Sequence, residues 1–127
     1  IFGSIGFPCF ATYSATKFAL RGFSEALRRE LAGSKIDVLY FAPRFTQTAL
    51  NSGPVEKMAA AVKMNQDSPE TVAVALAQAI ESQAKDRYLG WTERFFVRLN
   101  ALFPRLVDGA LIKQGQQMRP YALERLA

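Results

Sequence analysis

The stretch FATYSATKFALRGFSEALRREL, residues 10–31, decides how this chain is read. Its apolar residues recur at helical spacing: Ala15, Phe18, Ala19, Phe23, Ala26, Leu27 and Leu31. Arg21, Glu25, Arg28 and Arg29 fall largely elsewhere on the wheel. The pattern predicts a helix from about Thr12 to Leu31, ended by Gly33-Ser34. Inside it, YSATK places Tyr13 and Lys17 four residues apart, on one helical face. Alone, that spacing says little, since chance would supply about 0.2 such pairs in a chain of this composition. The plain alternative is a tyrosine on the helix flank with a solvated lysine one turn on.

Reading outward, residues 1–10 are apolar and punctuated by Gly and Pro, as expected of a loop leaving a buried strand. After the helix, IDVLYFA (36–42) is a near-continuous apolar run closed by Pro43, which suits a strand buried on both faces. Residues 44–67 are irregular, with a short helix expected around Val55–Met64. Ser68 reads as an N-cap, with Pro69 at the first helical position and Glu70 at the positive end of the helix PETVAVALAQAIESQAK. RYLGW (87–91) is a short strand candidate. Helix, buried strand, helix and strand in that order predict an α/β fold, part of a doubly wound parallel sheet with right-handed crossovers.

From Thr92 the pattern changes. Phe95, Phe96, Leu99, Leu102, Phe103, Leu106 and Val107 form an apolar stripe, with Arg94, Arg98 and Arg105 off it. Pro104 either kinks this helix or starts a second one running to about Met118. The expected organisation is therefore 1–91 as the α/β part and 92–127 as an amphipathic helical extension.

Composition narrows the chemistry. Of 127 residues, half are apolar and 21% charged, which describes a globular chain. There is no histidine and only Cys9, so histidine bases, Ser-His hydrolysis, a disulfide and a cysteine or histidine metal site all drop out. Proton transfer must rest on Tyr, Lys, Asp, Glu or an activated hydroxyl. The net charge of +5 and pI near 9.7 fit a basic soluble surface, or attraction for phosphate-bearing ligands or an anionic membrane. The basic residues are spread and accompany no nucleic-acid-binding motif, so no nucleic-acid partner is expected. No apolar run reaches the roughly 18–20 residues needed to span a bilayer. The opening IFGSIGFPCF has no secretory pattern and reads as the interior of a longer protein, expected in the cytoplasm.

Taken together, GFPCFATYSATKFALRGFSEALRREL and IDVLYFAPRFTQT closely resemble the short-chain dehydrogenase/reductase family. The resemblance is strong over residues 1–50, looser through the second helix and RYLGW, and general beyond Trp91. It implies the C-terminal part of a Rossmann-type sheet and an NAD- or NADP-dependent oxidoreductase acting between an alcohol and a ketone. A phenol is a poor base at neutral pH, and an ammonium one helical turn away favours its ionised form. The resemblance makes Tyr13 the acid/base, with Lys17 supporting it and bonding the nicotinamide ribose. It also implies cofactor contacts from Pro43, Arg44, Thr46 and Thr48, where Arg44 stands in place of the family's usual glycine. For the two threonines, turn and cap chemistry is the plain alternative.

The family's serine, about 13 residues before the tyrosine, would fall immediately before Ile1, and its glycine-rich phosphate turn has no counterpart here. The chain is therefore expected to be a C-terminal fragment, inactive alone. Ser4 is too near Tyr13 to be that serine; it is expected beside the substrate pocket or as a plain loop residue. Phe7, Phe10, Phe45, Leu50, Val55, Met58 and Met64 offer apolar surface for a hydrophobic substrate, or ordinary packing. The resemblance implies a homodimer through the 12–31 helix. A basic amphipathic tail can also lie on a membrane surface, giving peripheral contact through 92–118 as an expectation, with docking on the chain's own sheet as the alternative. The competing function is a non-catalytic truncated relative serving in dimerisation or membrane contact.

Overall fold

A computed structural model describes residues 1–51 and 53–123; Ser52, residues 124–127 of the expected extension, and the side chains of Leu50 and Leu123 lie outside the described residues. The helix read from residues 12–31 forms as α1, Ala11–Glu30. The strand read from 36–42 is shorter: β1 covers Tyr40–Ala42. Ile36 is 61% exposed, and the Val38 carbonyl accepts a hydrogen bond from Arg28 Nε at 3.2 Å. A side chain thus takes the place of a ladder partner, and pairing starts only at Tyr40, whose N–H donates to the Lys85 carbonyl at 2.9 Å.

Beyond Pro43, β2 (Phe45–Thr46) leads through a turn of 3-10 helix, Ala49–Asn51, to α2 (Pro54–Ala61). Next come β3 (Gln66–Asp67), α3 (Pro69–Glu81) and β4 (Asp86–Tyr88). Ser68 caps α3 as its sequence predicts, its Oγ accepting from the Thr71 N–H at 3.2 Å. Trp91, read as the end of a strand, instead opens α4 (Trp91–Leu102) after Gly90 at φ +84°, a backbone geometry suited to glycine. Pro104 does start a second helix: α5 runs Pro104–Leu123 and carries Pro120 near its end.

The strands form two parallel pairs. β1 runs beside β4 with Tyr40 opposite Asp86 and Ala42 opposite Tyr88; β2 runs beside β3 with Phe45 opposite Gln66. Among the described residues β1 has a neighbour on one edge only. The core is small: Ile5, Ala42, Met58, Ala59, Ala79, Leu89, Val97, Val107 and Met118 are buried. α5 packs on α2 and α4 through the side bearing Val107 and Met118.

The accessible surface is 8846 Å². A compact protein of 14.1 kDa would expose about 6,700 Å². Many large apolar side chains on the helices are exposed. On α1 the packed side is the polar one, with Ser14 buried and Arg21, Ser24, Glu25 and Arg28 half-buried. The apolar stripe faces outward, with Phe23 63% exposed and Phe18 and Leu20 also open to solvent.

Two arginines tie this frame together. Arg28, in the last turn of α1, donates through Nη2 to the Lys85 carbonyl at 2.6 Å and to Asp86 Oδ1 at 3.1 Å, besides its bond to Val38. It clamps the entry of both β1 and β4 against the helix, at the end where a cation also suits the helix dipole. Arg44 donates two bonds to Asp67, Nε to Oδ2 at 2.8 Å and Nη2 to Oδ1. That bidentate pair locks β2 to β3, and the guanidinium beside the buried Asp67 holds its carboxyl below the usual carboxylate range.

R28Q leaves two carbonyls and a carboxylate without their charged donor and is expected to cost about 2 kcal/mol, read as a lower urea midpoint; an unchanged midpoint would show the clamp is idle. Because the Asp67 carboxyl sits lower folded than unfolded, its contribution to stability is complete above its ordinary value of 3.8 and disappears as pH falls through the folded value. D67N should therefore destabilise the protein at pH 7 and flatten the acid limb of its stability curve, as followed by denaturation at pH 7 and below pH 4.

Candidate active site

The first turns of α1 carry the tyrosine–lysine pair. Helix geometry places both side chains on one side, and the Lys17 ammonium lies 5.1 Å from the centroid of the Tyr13 ring. Tyr13 is 49% exposed, so its phenol is open to a reactant. Phe2 and Phe10 wall the other sides of the ring, edge-to-face at 5.3 and 6.2 Å between centroids. Phe2 also packs on Phe7 at 4.6 Å and on Phe10 at 5.1 Å. The result is an aromatic nest with one phenol and one ammonium at its rim.

Local backbone chemistry seats this turn. The Ser14 N–H donates to the Phe10 carbonyl at 2.7 Å, and Ser14 Oγ accepts from the Phe7 N–H at 3.4 Å. Between them the exposed Cys9 adopts φ +67°, a left-handed conformation uncommon outside glycine. Gly3 is needed for close approach: a Cβ there would collide with the Tyr40 hydroxyl and lie 2.8 Å from the Lys17 carbonyl oxygen. The N-terminal loop therefore lies flat between the middle of α1 and β1. Burial and the neighbouring Tyr88 push the Tyr40 phenol above its ordinary value, so it stays neutral beside that loop.

Ser4 is buried. Its Oγ accepts from Arg21 Nη1 at 2.9 Å and shares a hydrogen bond with the Tyr88 hydroxyl at 2.8 Å, while its carbonyl accepts from Asn100 Nδ2 at 3.1 Å. It pins the loop to α1, β4 and α4 at once. Phe7 lines an apolar cleft of about 390 Å³ between the loop at 6–8, the start of α1 and α5, facing Leu111 and Ile112. Phe45 is half-buried in β2, and Met58 belongs to the core.

The segment after β1 is held separately. Pro43 is half-buried, and Arg44 spends its guanidinium on Asp67, so its side chain braces the turn that the family builds with glycine. Thr46 Oγ1 donates to the Arg44 carbonyl at 3.2 Å, and Asn51 Nδ2 donates to the Thr46 carbonyl at 2.7 Å. Thr48 is exposed, and its carbonyl accepts from the Asn51 N–H at 2.9 Å. Among the described residues no hydrogen bond or ion pair links this segment to Tyr13 or Lys17. Phe2, Arg28, Asp67 and Asn51 complete the arrangement without having been singled out in the sequence. Only Arg28 carried a signal, a cation in the last turn of a helix; Asp67 depends on Arg44, 23 residues away, and Phe2 meets Tyr13 across 11 residues.

The family model for short chain dehydrogenase matches residues 1–59. An uncharacterized oxidoreductase, YxnA, of Bacillus subtilis (strain 168) is 33% identical over 118 residues, covering 89% of this chain and 33% of that protein. Hydroxysteroid 11-beta-dehydrogenase 1-like protein B of Xenopus laevis is 36% identical over 114 residues, covering 87% of this chain and 38% of its own length. Protein A of the same name and organism is 35% identical over 108 residues, 83% and 36% of the two chains. The chain thus spans about a third of the length of the curated relatives it matches. No solved structure matches it significantly. The family match spans the stretch that holds Tyr13 and Lys17, and the chain belongs to the short-chain dehydrogenase/reductase family.

Proposed function

We propose that this chain supplies the proton-relay part of an NAD(P)-dependent oxidoreductase that interconverts a hydrophobic alcohol and its ketone. The observation that carries the reading is the Lys17 ammonium standing 5.1 Å over the ring of a half-exposed Tyr13. The family generally uses NAD(P). The donor set fits the nicotinamide end of that cofactor: a phenol, an ammonium without an ion-pair partner among the described residues, and the exposed Thr48. No glycine-rich turn in this sequence fits its pyrophosphate.

When bound, the cofactor supplies or accepts the hydride. The chain's own work is with the proton. Tyr13 Oη takes the proton of the alcohol in oxidation and returns it to the carbonyl oxygen in reduction. Lys17 Nζ holds positive charge beside the phenol and would bond the ribose hydroxyls, fixing the reacting carbon opposite Tyr13. Pro43, Thr46 and Thr48 would line the nicotinamide side, with Arg44 contributing backbone while its side chain stays on Asp67. The Phe2 and Phe10 rings beside Tyr13, with Phe7 packed on Phe2, support an apolar substrate.

The outward apolar stripe of α1, with Phe18, Leu20 and Phe23, supports a homodimer formed through that helix. The single-edged β1 and the large apolar surface support inactivity of residues 1–127 on their own.

In the intact protein, Y13F should lower kcat by about 100- to 10,000-fold with the fold retained, the range typical of a lost acid/base; turnover of an apolar secondary alcohol with NAD or NADP reads it, and an unchanged rate would favour the non-catalytic reading. Residues 1–127 alone should show no turnover in the same assay, and robust activity would refute the need for further chain.

A further inference from the structure

α4 is unusual in being apolar on the side that faces away from the protein. Val97 is buried, yet Trp91 is 80% exposed, Leu102 72% and Phe95 55%. At 100° per residue these three fall within about 40° of one another, on the side away from Val97. Leu102 continues into the exposed Phe103 and Leu106 at the corner where α5 begins. With aromatic side chains of roughly 150–250 Å² each, the open apolar surface of this corner is on the order of 600 Å², at or above the largest patch of an ordinary monomer.

The flank of that stripe is cationic. Arg94 and Arg98 lie on α4 between the packed side and the apolar side, and with Arg87 of β4 they line a cleft of about 180 Å³ shared with Asp86, Tyr88 and Val97. Asp86, the acid in the cleft, already accepts from Arg28. Glu93 is turned inward, its Oε1 held by Asn65 at 3.0 Å. Among the described residues Arg87, Arg94, Arg98 and Arg105 form no ion pair. Three guanidiniums thus converge beside an apolar surface with no acid left to balance them.

From this juxtaposition we propose that α4 and the α4–α5 corner form a membrane-surface site for anionic phospholipid, independent of the Tyr13 chemistry. Phosphate oxygens of headgroups lodge among Arg87, Arg94 and Arg98, where planar guanidiniums match them in pairs. Trp91, Phe95, Leu102, Phe103 and Leu106 enter the headgroup–acyl boundary. The helices lie in the plane of the interface and do not cross it; no helix among the described residues is long and apolar enough to span a bilayer. Charge complementarity selects lipid over a second copy of the chain, since two such faces would bring three arginines of each against the other.

The test is co-sedimentation of the intact protein with vesicles of phosphatidylcholine alone and with about one third phosphatidylserine. Pelleting on the anionic vesicles and not on the neutral ones is expected. R94Q/R98Q should weaken that partitioning about 30-fold, at roughly fivefold for each charge removed from the surface, and R94K/R98K should largely restore it. F95S/L102S should weaken it at least tenfold on the same vesicles. Dehydrogenase turnover on a soluble substrate should stay at the wild-type rate in R94Q/R98Q, which certifies the fold apart from the lipid site. Equal pelleting on both vesicle types, or of wild type and R94Q/R98Q, overturns the proposal. So does stabilisation by inorganic phosphate without vesicle binding, which assigns the cleft to a soluble anion, or conversion of a dimer to a monomer by F95S/L102S without vesicle binding, which assigns the face to self-association.

Discussion

The Arg28 guanidinium is the constraint on which the rest of this chain depends. α1 presents its polar side to the sheet, so hydrophobic burial alone cannot set its position. Instead one side chain satisfies two carbonyls and a carboxylate at the mouths of β1 and β4. Tyr13 lies fifteen residues back along the helix, about 22 Å away at 1.5 Å per residue. Over that lever a 10° swing at the clamp would displace the phenol by about 4 Å, more than the proposed proton transfer would tolerate. A polar contact at one end of the helix thereby holds the geometry at the other. Ser4 supplies the second point of fixation, reaching α1 through Arg21 one turn from Lys17.

Arginine has two separate uses in this molecule. Arg21, Arg28 and Arg44 are spent inside, each joining segments distant in the chain through short bonds to oxygen. Arg87, Arg94, Arg98 and Arg105 stay outside and form no ion pair among the described residues. The first group cannot be exchanged for lysine without losing paired geometry, because a point charge cannot bridge two or three acceptors in a plane. The net charge by itself reveals neither use.

Much of the fold was legible in the sequence because its signals are local. Helical spacing gave α1 within a residue at each end, Ser68-Pro69 announced α3, and the apolar run to Pro43 marked β1. What failed to show locally was set by distant partners. Ile36 to Leu39 are as strand-like as Tyr40 to Ala42, yet the Arg28 bond to Val38 delays pairing. Trp91 suits a strand, but Gly90 at positive φ turns the chain into α4. The tyrosine–lysine pair was legible for the same local reason as its helix, whereas Phe2 beside the phenol and Asp67 beneath Arg44 were not. The apolar stripe of α1 was visible, but nothing in its period says whether it faces inward or out.

Gly115 has an effect of its own. A Cβ at that position would lie 2.7 Å from the Pro8 ring, so α5 rests flush against the loop that leads to Tyr13. Phe7 and Pro8 form one jaw of the apolar cleft, and Leu111 and Ile112 form the other. The missing methyl therefore acts as the spacer of a vice: it sets the gauge of the slot, and every bulkier residue there would pry the jaws apart. The width of the slot, in this architecture, is set by an atom that is not there.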